Sequence, residues 1–272
     1  MSNKIKIRIV MNKISFLCLV ALLTACATVP ITGRKQMSFF PESQMIATSL
    51  TQYDSFLKEN KLSSNKEQSD MVQRVGKRIA AVVEIFMKEH GMADRVADFE
   101  WEFNLVDDDT PNAWCMPGGK VVFYTGILPF TQTEEGLAVV MGHEIAHAIA
   151  RHGNERMSQQ LGIQTLGTGL SVLLNEKPAE TQQIWMTAFG AGSNVLVTLP
   201  FSRSHETEAD KMGLIFMAMA GYNPAAAVDF WKRMGENGGQ KPPEFLSTHP
   251  ADETRVKNIQ AFLPEAMKYY KK

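Results

Sequence analysis

The chain alternates between stretches in which hydrophobic residues recur every three or four positions and short polar or glycine-rich breaks. That spacing places apolar side chains on one helix face, and it predicts amphipathic helices over residues 43–57 and 69–90. A third helix is predicted over residues 133–157, where the spacing of Thr131 and Glu134 matches a capping box. The apolar stripe of this third helix consists of Leu137, Val140, Met141 and Ile145.

Strand signals are fewer. Residues 99–106 alternate in places between apolar and polar side chains, and residues 121–125 are β-favouring residues that follow a Pro-Gly-Gly turn. After the third helix, residues 161–189 have the small and apolar composition of a helix pair that is interrupted near Lys177 and Pro178. Glycines and a glutamine interrupt the first half of this pair, so it is not predicted to span a membrane.

Length and charge limit the remaining possibilities. Residues 43–272 are enough for one sizeable domain, which we expect to be mostly helical with a small β-sheet, an α+β fold. Within it, residues 190–200 are predicted to be mobile and residues 235–243 to form a lid or a linker. The formal net charge of −1 argues against nucleic acid as a partner.

The sequence His-Glu-Ile-Ala-His occupies residues 143–147, inside the third predicted helix. Histidines four positions apart share one helix face, so His143 and His147 can bind one metal ion while Glu144 faces the same cavity. In zinc hydrolases, histidines and a further carboxylate hold the ion and leave one position open for water. Glu144 is then the expected general base, which passes the proton of that water to the leaving amine. We favour this hypothesis over a solvated helix face that carries the same residues by coincidence.

The third metal ligand is expected within residues 202–210, an acidic stretch that suits the start of a helix. Glu206 and Asp210 are four positions apart, so one can bind metal while the other orients a ligand histidine. Acidic residues here would also stabilise a helix N-terminus electrostatically. Spacing alone does not decide between Glu206, Glu208 and His205 as the ligand.

Three motifs together resemble one peptidase family. They are HEIAH at residues 143–147, PFSRSHETEAD at residues 200–210 and STHP at residues 247–250. Over roughly residues 45–260, this combination is similar to the membrane-linked gluzincin metallopeptidases, the relatives of HtpX and the CAAX prenyl endopeptidase, and among them to LoiP-like bacterial lipoproteins. The resemblance implies a zincin-like fold whose active-site helix carries HExxH, and one zinc ion per chain. It also implies Glu206 as the third ligand and Asp210 as the partner of a ligand histidine.

The segment Pro-Asn-Ala-Trp-Cys-Met-Pro-Gly-Gly at residues 111–119 also resembles a stretch of that family, with Trp and Cys where the family has Phe and Ala. In the resembling peptidases the substrate lies extended beside the following strand and binds through main-chain hydrogen bonds. The resemblance therefore implies that Asn112, Ala113 and Trp114 contact substrate. An ordinary sheet strand is an equally compatible interpretation of residues 121–125.

His249 precedes Pro250, which disfavours helix and predicts a loop. Near a zinc ion, a loop imidazole stabilises the oxyanion or caps the open metal position as an inhibitory ligand, and family members resemble this arrangement. The alternative is a simple loop that leads into a helix. His152 and Arg151 follow the metal-binding histidines too closely for a catalytic role, and we interpret them as packing or salt-bridging residues.

The N-terminus is basic, then apolar over residues 14–23, and then reads Leu-Thr-Ala-Cys up to Cys26. This apolar run is shorter than the about 20 residues that are needed to span a bilayer. The pattern therefore predicts a lipoprotein signal peptide over residues 1–25 rather than a membrane-spanning helix. The resemblance to bacterial lipoproteins implies lipidation of Cys26, a tether over residues 26–42 and a location on the periplasmic face of a bacterial outer membrane.

Together these patterns predict a zinc-dependent endopeptidase that cleaves exposed or misfolded segments of envelope proteins. The alternative is a lipoprotein chaperone or assembly factor with a gated or little-used zinc site and envelope assembly proteins as partners. Glu144 distinguishes the two functions, because a binding protein does not need a catalytic base.

Overall fold

The computed structural model describes residues 26–236 and 244–271, most of which are helical. The helices are α1 Glu42–Glu59, α2 Lys66–Glu89, α3 Leu128–Thr131, α4 Glu134–Ile149, α5 His152–Leu174, α6 Ala179–Ser193, α7 Leu199–Met219, α8 Ala226–Glu236, α9 Glu244–Thr248 and α10 Glu253–Ala266. The strands are β1 Cys26–Thr28, β2 Lys35–Met37, β3 Glu102–Val106, β4 Ala113–Met116 and β5 Lys120–Tyr124. The predicted α+β fold with a small sheet is confirmed.

Helix α2 forms as its apolar spacing predicts. The Asn65 side chain caps the helix by accepting a hydrogen bond from the backbone N–H of Gln68 (3.1 Å). Val75, Ile79 and Val83 then recur every four residues and are fully buried. They lie in the same apolar core as strands β3 and β5 and helices α4 and α7, so α2 supports both the sheet and the helix that carries the HEIAH motif.

The larger sheet has three strands in the order β3, β5, β4. Strands β3 and β5 are parallel, with Phe103 opposite Val121, and β4 is antiparallel to β5, with Trp114 opposite Val122. Strand β5 is therefore central, and the complete burial of residues 121–123 accounts for its continuous apolar run. Strand β4 forms an edge of this sheet and packs beside α4.

Helices α4 and α7 pack against each other more extensively than any other pair of elements in the described residues. Two glycines allow this approach. A Cβ on Gly142 would lie 2.8 Å from the Gly213 carbonyl oxygen, and a Cβ on Gly213 would lie 2.8 Å from the backbone nitrogen of His143. Because only glycine fits a contact this close, the two backbones meet directly beside the HEIAH motif.

The predicted third helix is in fact two helices. Arg151 has a left-handed φ of 58° and separates α4 from α5. Thr133 rather than Thr131 caps α4, and its side chain accepts a hydrogen bond from the N–H of Gly136 (3.1 Å). The apolar pattern runs across the break, so spacing alone could not reveal it.

The predicted break near Lys177 and Pro178 is confirmed, because α5 ends at Leu174 and α6 begins at Ala179. Residues 190–200, which were predicted to be mobile, are helical throughout, because a π-helical segment, Asn194–Thr198, joins α6 to α7. Their mobility stays a prediction. Gly190, Gly192 and Ser193 favour an irregular backbone, yet these residues complete α6. Most of the predicted lid or linker, and the predicted signal peptide, lie outside the described residues.

The segment predicted as a tether is folded against the domain. Strands β1 and β2 pair in antiparallel fashion, with Cys26 opposite Met37. Between them, Arg34 forms ion pairs with Glu155 on α5 and Glu208 on α7. The two ion pairs of Arg34 join residues that are more than a hundred positions apart, so no local sequence pattern predicted them.

Candidate metal centre and active site

Helix α4 presents three polar side chains of the HEIAH motif in an otherwise apolar core. His143 and Glu144 are buried, His147 is partly buried, and the neighbouring Ile145 and Ala146 are fully buried. One helical turn separates the two histidines, so both rings reach the same side of the helix. Helix α7 lies across this side, as the glycine contact between the two helices requires.

Four side chains converge where these helices meet. One donor atom from each of His143, His147, Glu206 and His249 lies within 4.8 Å of all the others. The Nε2 atoms of His143 and His147 are 3.1 Å apart, and they lie 3.3 and 3.4 Å from the Glu206 carboxylate oxygens. The Nδ1 of His249 lies 2.8 Å from Glu206 Oε2. The structure therefore brings the predicted ligands and His249 into one cluster.

This donor set fits a zinc ion. Two imidazole nitrogens and one carboxylate are the protein ligands of a catalytic zinc site. Glu206 Oε1 is buried and accepts no hydrogen bond, as expected for an atom that faces a cation. Burial alone would raise the pKa of Glu206, but the adjacent histidines lower it below its ordinary value, so the carboxylate is ionised. Burial lowers the pKa of His147 well below its ordinary value, which leaves this ring neutral and able to bind metal.

The geometry separates the three candidates for the third ligand. Glu206 faces both histidines of the motif, whereas His205 turns away and contacts the Glu155 carboxylate (Nε2 to Oε2, 2.8 Å). Glu208 also faces away from the cluster and accepts hydrogen bonds from His152 (3.1 Å) and Arg34. Because successive helical residues are about 100° apart, only one of the three can face the metal cluster.

Asp210 and Arg255 fix the orientation of His143. The Nδ1 of His143 lies 3.0 Å from Asp210 Oδ1 and can donate its proton there, which leaves Nε2 free for metal. The Arg255 guanidinium donates two hydrogen bonds to Asp210 (2.7 and 2.9 Å) and stacks over Trp231. Burial alone would raise the pKa of Asp210, but Arg255 and His143 lower it, so Asp210 is ionised. The sequence analysis did not identify Arg255, because this arginine lies on α10 and belongs to none of the three motifs.

A second chain of contacts leads from His147 to the N-terminal segment. The Nδ1 atoms of His147 and His152 are 2.9 Å apart, and His152 Nε2 donates to Glu208. Burial lowers the pKa of His152 to about 4, so the ring is neutral and its Nδ1 can accept the His147 proton. His152 is thus a buried hydrogen-bonding residue, which agrees with the packing interpretation rather than the salt-bridging one, because its ring is neutral. Arg34 completes the chain by binding both Glu208 and Glu155.

Glu144 is placed to exchange protons beside this cluster. Its side chain lines a cavity of about 320 Å³ together with His147 and His249. Its Oε1 atom is buried without a hydrogen bond, 3.5 Å from His249 Nε2. Burial raises the pKa of Glu144 above its ordinary value, which makes the carboxylate a stronger base.

The same cavity is bounded by the edge strand of the sheet. Asn112, Ala113 and Trp114 line it, and the last two begin strand β4. The sequence expectation placed the substrate beside residues 121–125, but that strand is central and has neighbours on both sides. Strand β4 is therefore the strand of this sheet whose edge faces the cluster, and the hydrogen-bonding capacity of its free edge is available to an extended peptide.

Comparison with known proteins agrees with this site. A sequence profile described as Peptidase family M48 matches residues 68–263, well over half of the chain. The chain belongs to peptidase family M48. Membership of this family confirms the predicted zincin-like fold. It also confirms the predicted zinc cofactor, because M48 metallopeptidases use zinc. Family membership also confirms the predicted enzyme class at the level of a metallopeptidase.

Several curated relatives cover much of the chain. Mitochondrial metalloendopeptidase OMA1 of Schizosaccharomyces pombe is 36% identical over 88% of this chain and 66% of its own length. OMA1 of Saccharomyces cerevisiae is 35% identical over 70% of this chain and 55% of its own length. The beta-barrel assembly-enhancing protease of Escherichia coli is 30% identical over 57% of this chain and 33% of its own length. This chain thus spans between a third and two thirds of the length of these relatives.

These relatives correct two predictions. They do not support the likeness to LoiP-type lipoproteins, because the relatives that match over most of the chain are OMA1 metalloendopeptidases. They contradict the predicted location on a bacterial outer membrane, because those same relatives are mitochondrial. The lipobox pattern is short, so its match carried less information than alignment over most of the chain. Lipidation of Cys26 stays a prediction, and the backbone of this residue lies in strand β1.

Proposed function

We propose that this chain is a zinc-dependent endopeptidase that cuts extended or unfolded protein segments. The observation that carries the proposal is the convergence of His143, His147 and Glu206 on one point, with Glu144 beside them in a cavity bounded by a free strand edge. In this proposal the first three residues hold zinc and Glu144 is the general base.

Each residue has a defined task in this reaction. A bound zinc ion supplies a Lewis acid that lowers the pKa of a water molecule to about 7. Glu144 takes the proton of the attacking water and later delivers it to the leaving nitrogen. Asp210 holds His143 with its Nε2 atom toward the cluster, and His152 does the same for His147. The buried position of Glu144 keeps its pKa raised, so that it both accepts and returns the proton.

Strand β4 supports an extended substrate. A peptide that adds to a strand edge is held by main-chain hydrogen bonds, which hardly depend on side-chain identity. Asn112 and Ala113 lie where such a peptide would cross the cavity, and Trp114 packs edge-on against Phe56. We therefore propose that the substrates are exposed or unfolded segments rather than one folded partner.

His249 favours a second candidate, a site that is gated. Its Nδ1 lies within the donor cluster, 2.8 Å from Glu206 and 3.1 Å from His143 Nε2. An imidazole in this position competes with water for the fourth metal position. A protein gated in this way would act as a chaperone or an assembly factor until His249 moves. Removal of the ring by His249→Ala should raise cleavage if it caps the metal, and lower cleavage if it stabilises the oxyanion.

Cleavage of casein by the zinc-loaded chain tests the proposal. Glu144→Gln should abolish cleavage, with a loss of at least 100-fold, while bound zinc measured on the same sample remains at one ion per chain. Glu135→Gln is the matched control, because Glu135 lies on the same helix but is exposed and far from the cluster. If Glu144→Gln cleaves as fast as the control, Glu144 is not the base and the endopeptidase proposal fails.

The relatives' names favour a mitochondrial location for this chain. Fractionation of cells that produce the tagged chain tests this part of the proposal, since co-purification with mitochondria is expected. Recovery in another compartment would refute it without affecting the proposed chemistry.

A further inference from the structure

The helical hairpin formed by α5, α6 and the start of α7 exposes an unusual amount of apolar surface. Eleven of the fifteen large hydrophobic side chains that are exposed in the described residues lie between positions 157 and 199. Helix α6 and the following segment, Asn194–Thr198, contain no buried residue. Within the described residues of this hairpin, 157–202, only Ser158, Gln159 and Gly167 are buried, so most of the apolar surface of both limbs is uncovered.

Charges are confined to the two ends of the hairpin. Residues 157–175 and 181–202 contain no acidic or basic side chain. The turn carries Glu176, Lys177 and Glu180, and the base of the hairpin carries Arg156 and Arg203. At 1.5 Å per residue, each uncharged limb is about 28–33 Å long, which matches the roughly 30 Å hydrocarbon core of a bilayer.

The apolar side chains surround the limbs rather than forming one stripe. Val172 and Leu173 are adjacent and both at least 70% exposed, and the adjacent Val195 and Leu196 are 60% and 77% exposed. Ile184, Trp185 and Met186 are three consecutive exposed residues, and because adjacent helical residues point about 100° apart they span about 200° of the helix circumference, more than one flat partner surface would cover. Lipid covers all sides of a helix. The stretch Ala179–Met219 is also long and apolar enough to cross a membrane, and its most apolar part is not buried.

Contact between the limbs is also of the kind found in membranes. A Cβ on Gly167 would lie 3.2 Å from the Phe189 ring, so the limbs meet through a small residue. Five glycines lie within the two limbs, namely Gly162, Gly167, Gly169, Gly190 and Gly192. In water each would weaken a helix by up to about 1 kcal/mol, whereas glycine is frequent in helices that lipid surrounds.

We propose that residues 157–202 insert into a phospholipid bilayer as a helical hairpin, with Glu176, Lys177 and Glu180 reaching the far headgroups and Arg156 and Arg203 at the near ones. This replaces the sequence-based expectation that no membrane helix is present here. Arg156 also lines the active-site cavity. Insertion thus places the mouth of that cavity at the membrane surface, whether or not the proposed chemistry is correct.

Trp185 provides a probe inside the hairpin. It is 56% exposed on α6, and the remaining tryptophans, Trp101, Trp114 and Trp231, lie outside the hairpin. The full chain is reconstituted with phosphatidylcholine vesicles, with or without bromine on the acyl chains. Brominated lipid should quench tryptophan emission by more than a quarter, and Trp185→Phe should abolish this quenching while Trp101→Phe retains it.

A second pair of variants tests the insertion by charge. Leu166 is 67% exposed and lies at the centre of the first uncharged limb. Leu166→Glu and Leu196→Glu should each weaken vesicle binding at least tenfold and lower the quenching of Trp185. Ile85→Glu is the matched control, because Ile85 is exposed on α2, away from the hairpin, and its change should have no effect. Far-UV circular dichroism of each variant is the check that its helices are retained.

Trp185 emission that is insensitive to brominated lipid would overturn the proposal. If the same sample forms dimers in lipid-free buffer that Leu196→Glu dissociates, the apolar surface belongs to an interface between two copies instead. Because the readout is fluorescence, failure of this proposal is distinct from failure of the proposed peptidase activity.

Discussion

Arg34 joins the N-terminal segment to two buried carboxylates, and its removal should destabilise the fold strongly. Its guanidinium contacts both oxygens of Glu155 (2.7 and 2.6 Å) and both oxygens of Glu208 (2.8 and 2.9 Å). The Glu155 side chain is fully buried and that of Glu208 is 6% exposed, whereas Arg34 itself is 23% exposed. Substitution of Arg34 by Met would keep the apolar length of the side chain but leave two buried carboxylates without their cation.

The expected magnitude follows from this burial. Removing one partner of a buried ion pair costs about 3–5 kcal/mol, because the remaining charge lies in a medium of low polarity. Solvent reaches part of Arg34, so we expect the lower end, about 3 kcal/mol. For a chain of this size that free energy corresponds to a fall in Tm of about 6–12 °C.

Urea unfolding followed by far-UV circular dichroism at pH 7 measures this change. Lys61→Met is the control, because Lys61 and Asp107 form an exposed pair and its loss should cost less than about 1 kcal/mol. The same samples report on the metal site, since Glu208 binds His152 and His152 contacts His147. Arg34→Met should therefore weaken zinc binding in a chelator competition, while Lys61→Met should not. A loss of stability no larger than that of Lys61→Met would refute the reasoning that Arg34 neutralises buried charge.

Three further predictions follow from the site and the helix contact. Asp210→Asn should lower zinc affinity about 10–100-fold in the same competition, because an amide orients His143 less firmly, and an unchanged affinity would contradict that role. The pKa of Glu155 is lowered by Arg34 and His205 against the effect of burial, so its stabilising contribution is present above pH 4.5 and lost as pH falls. The difference in unfolding free energy between the wild type and Glu155→Gln should accordingly narrow below pH 4.5, and a constant difference would speak against it. Gly213→Ala should destabilise the chain by about 1–3 kcal/mol in urea unfolding, because the added Cβ meets backbone, and a neutral result would show that α4 and α7 separate freely.

The sequence alone predicted those features of this protein that depend on residues close together in the chain. The spacing of His143 and His147 predicted that they share one helix face, because residues four positions apart lie on the same side of an α-helix. Apolar residues every three or four positions predicted α1 and α2 to within a few residues. The family motifs placed Glu206 among the ligands, and the structure brings it to the cluster. Each of these inferences depends on residues that are close in the chain.

Contacts between distant segments were decided by the tertiary structure. Arg255 binds Asp210 and Arg34 binds Glu155 across 45 and 121 positions, and no spacing rule connects residues that far apart. The close approach of α4 and α7 orients Glu206 rather than His205 or Glu208 toward the histidines. The membrane interpretation of residues 157–202 likewise needed the fold, because composition describes how apolar a helix is, whereas only packing decides whether that surface is buried or left exposed.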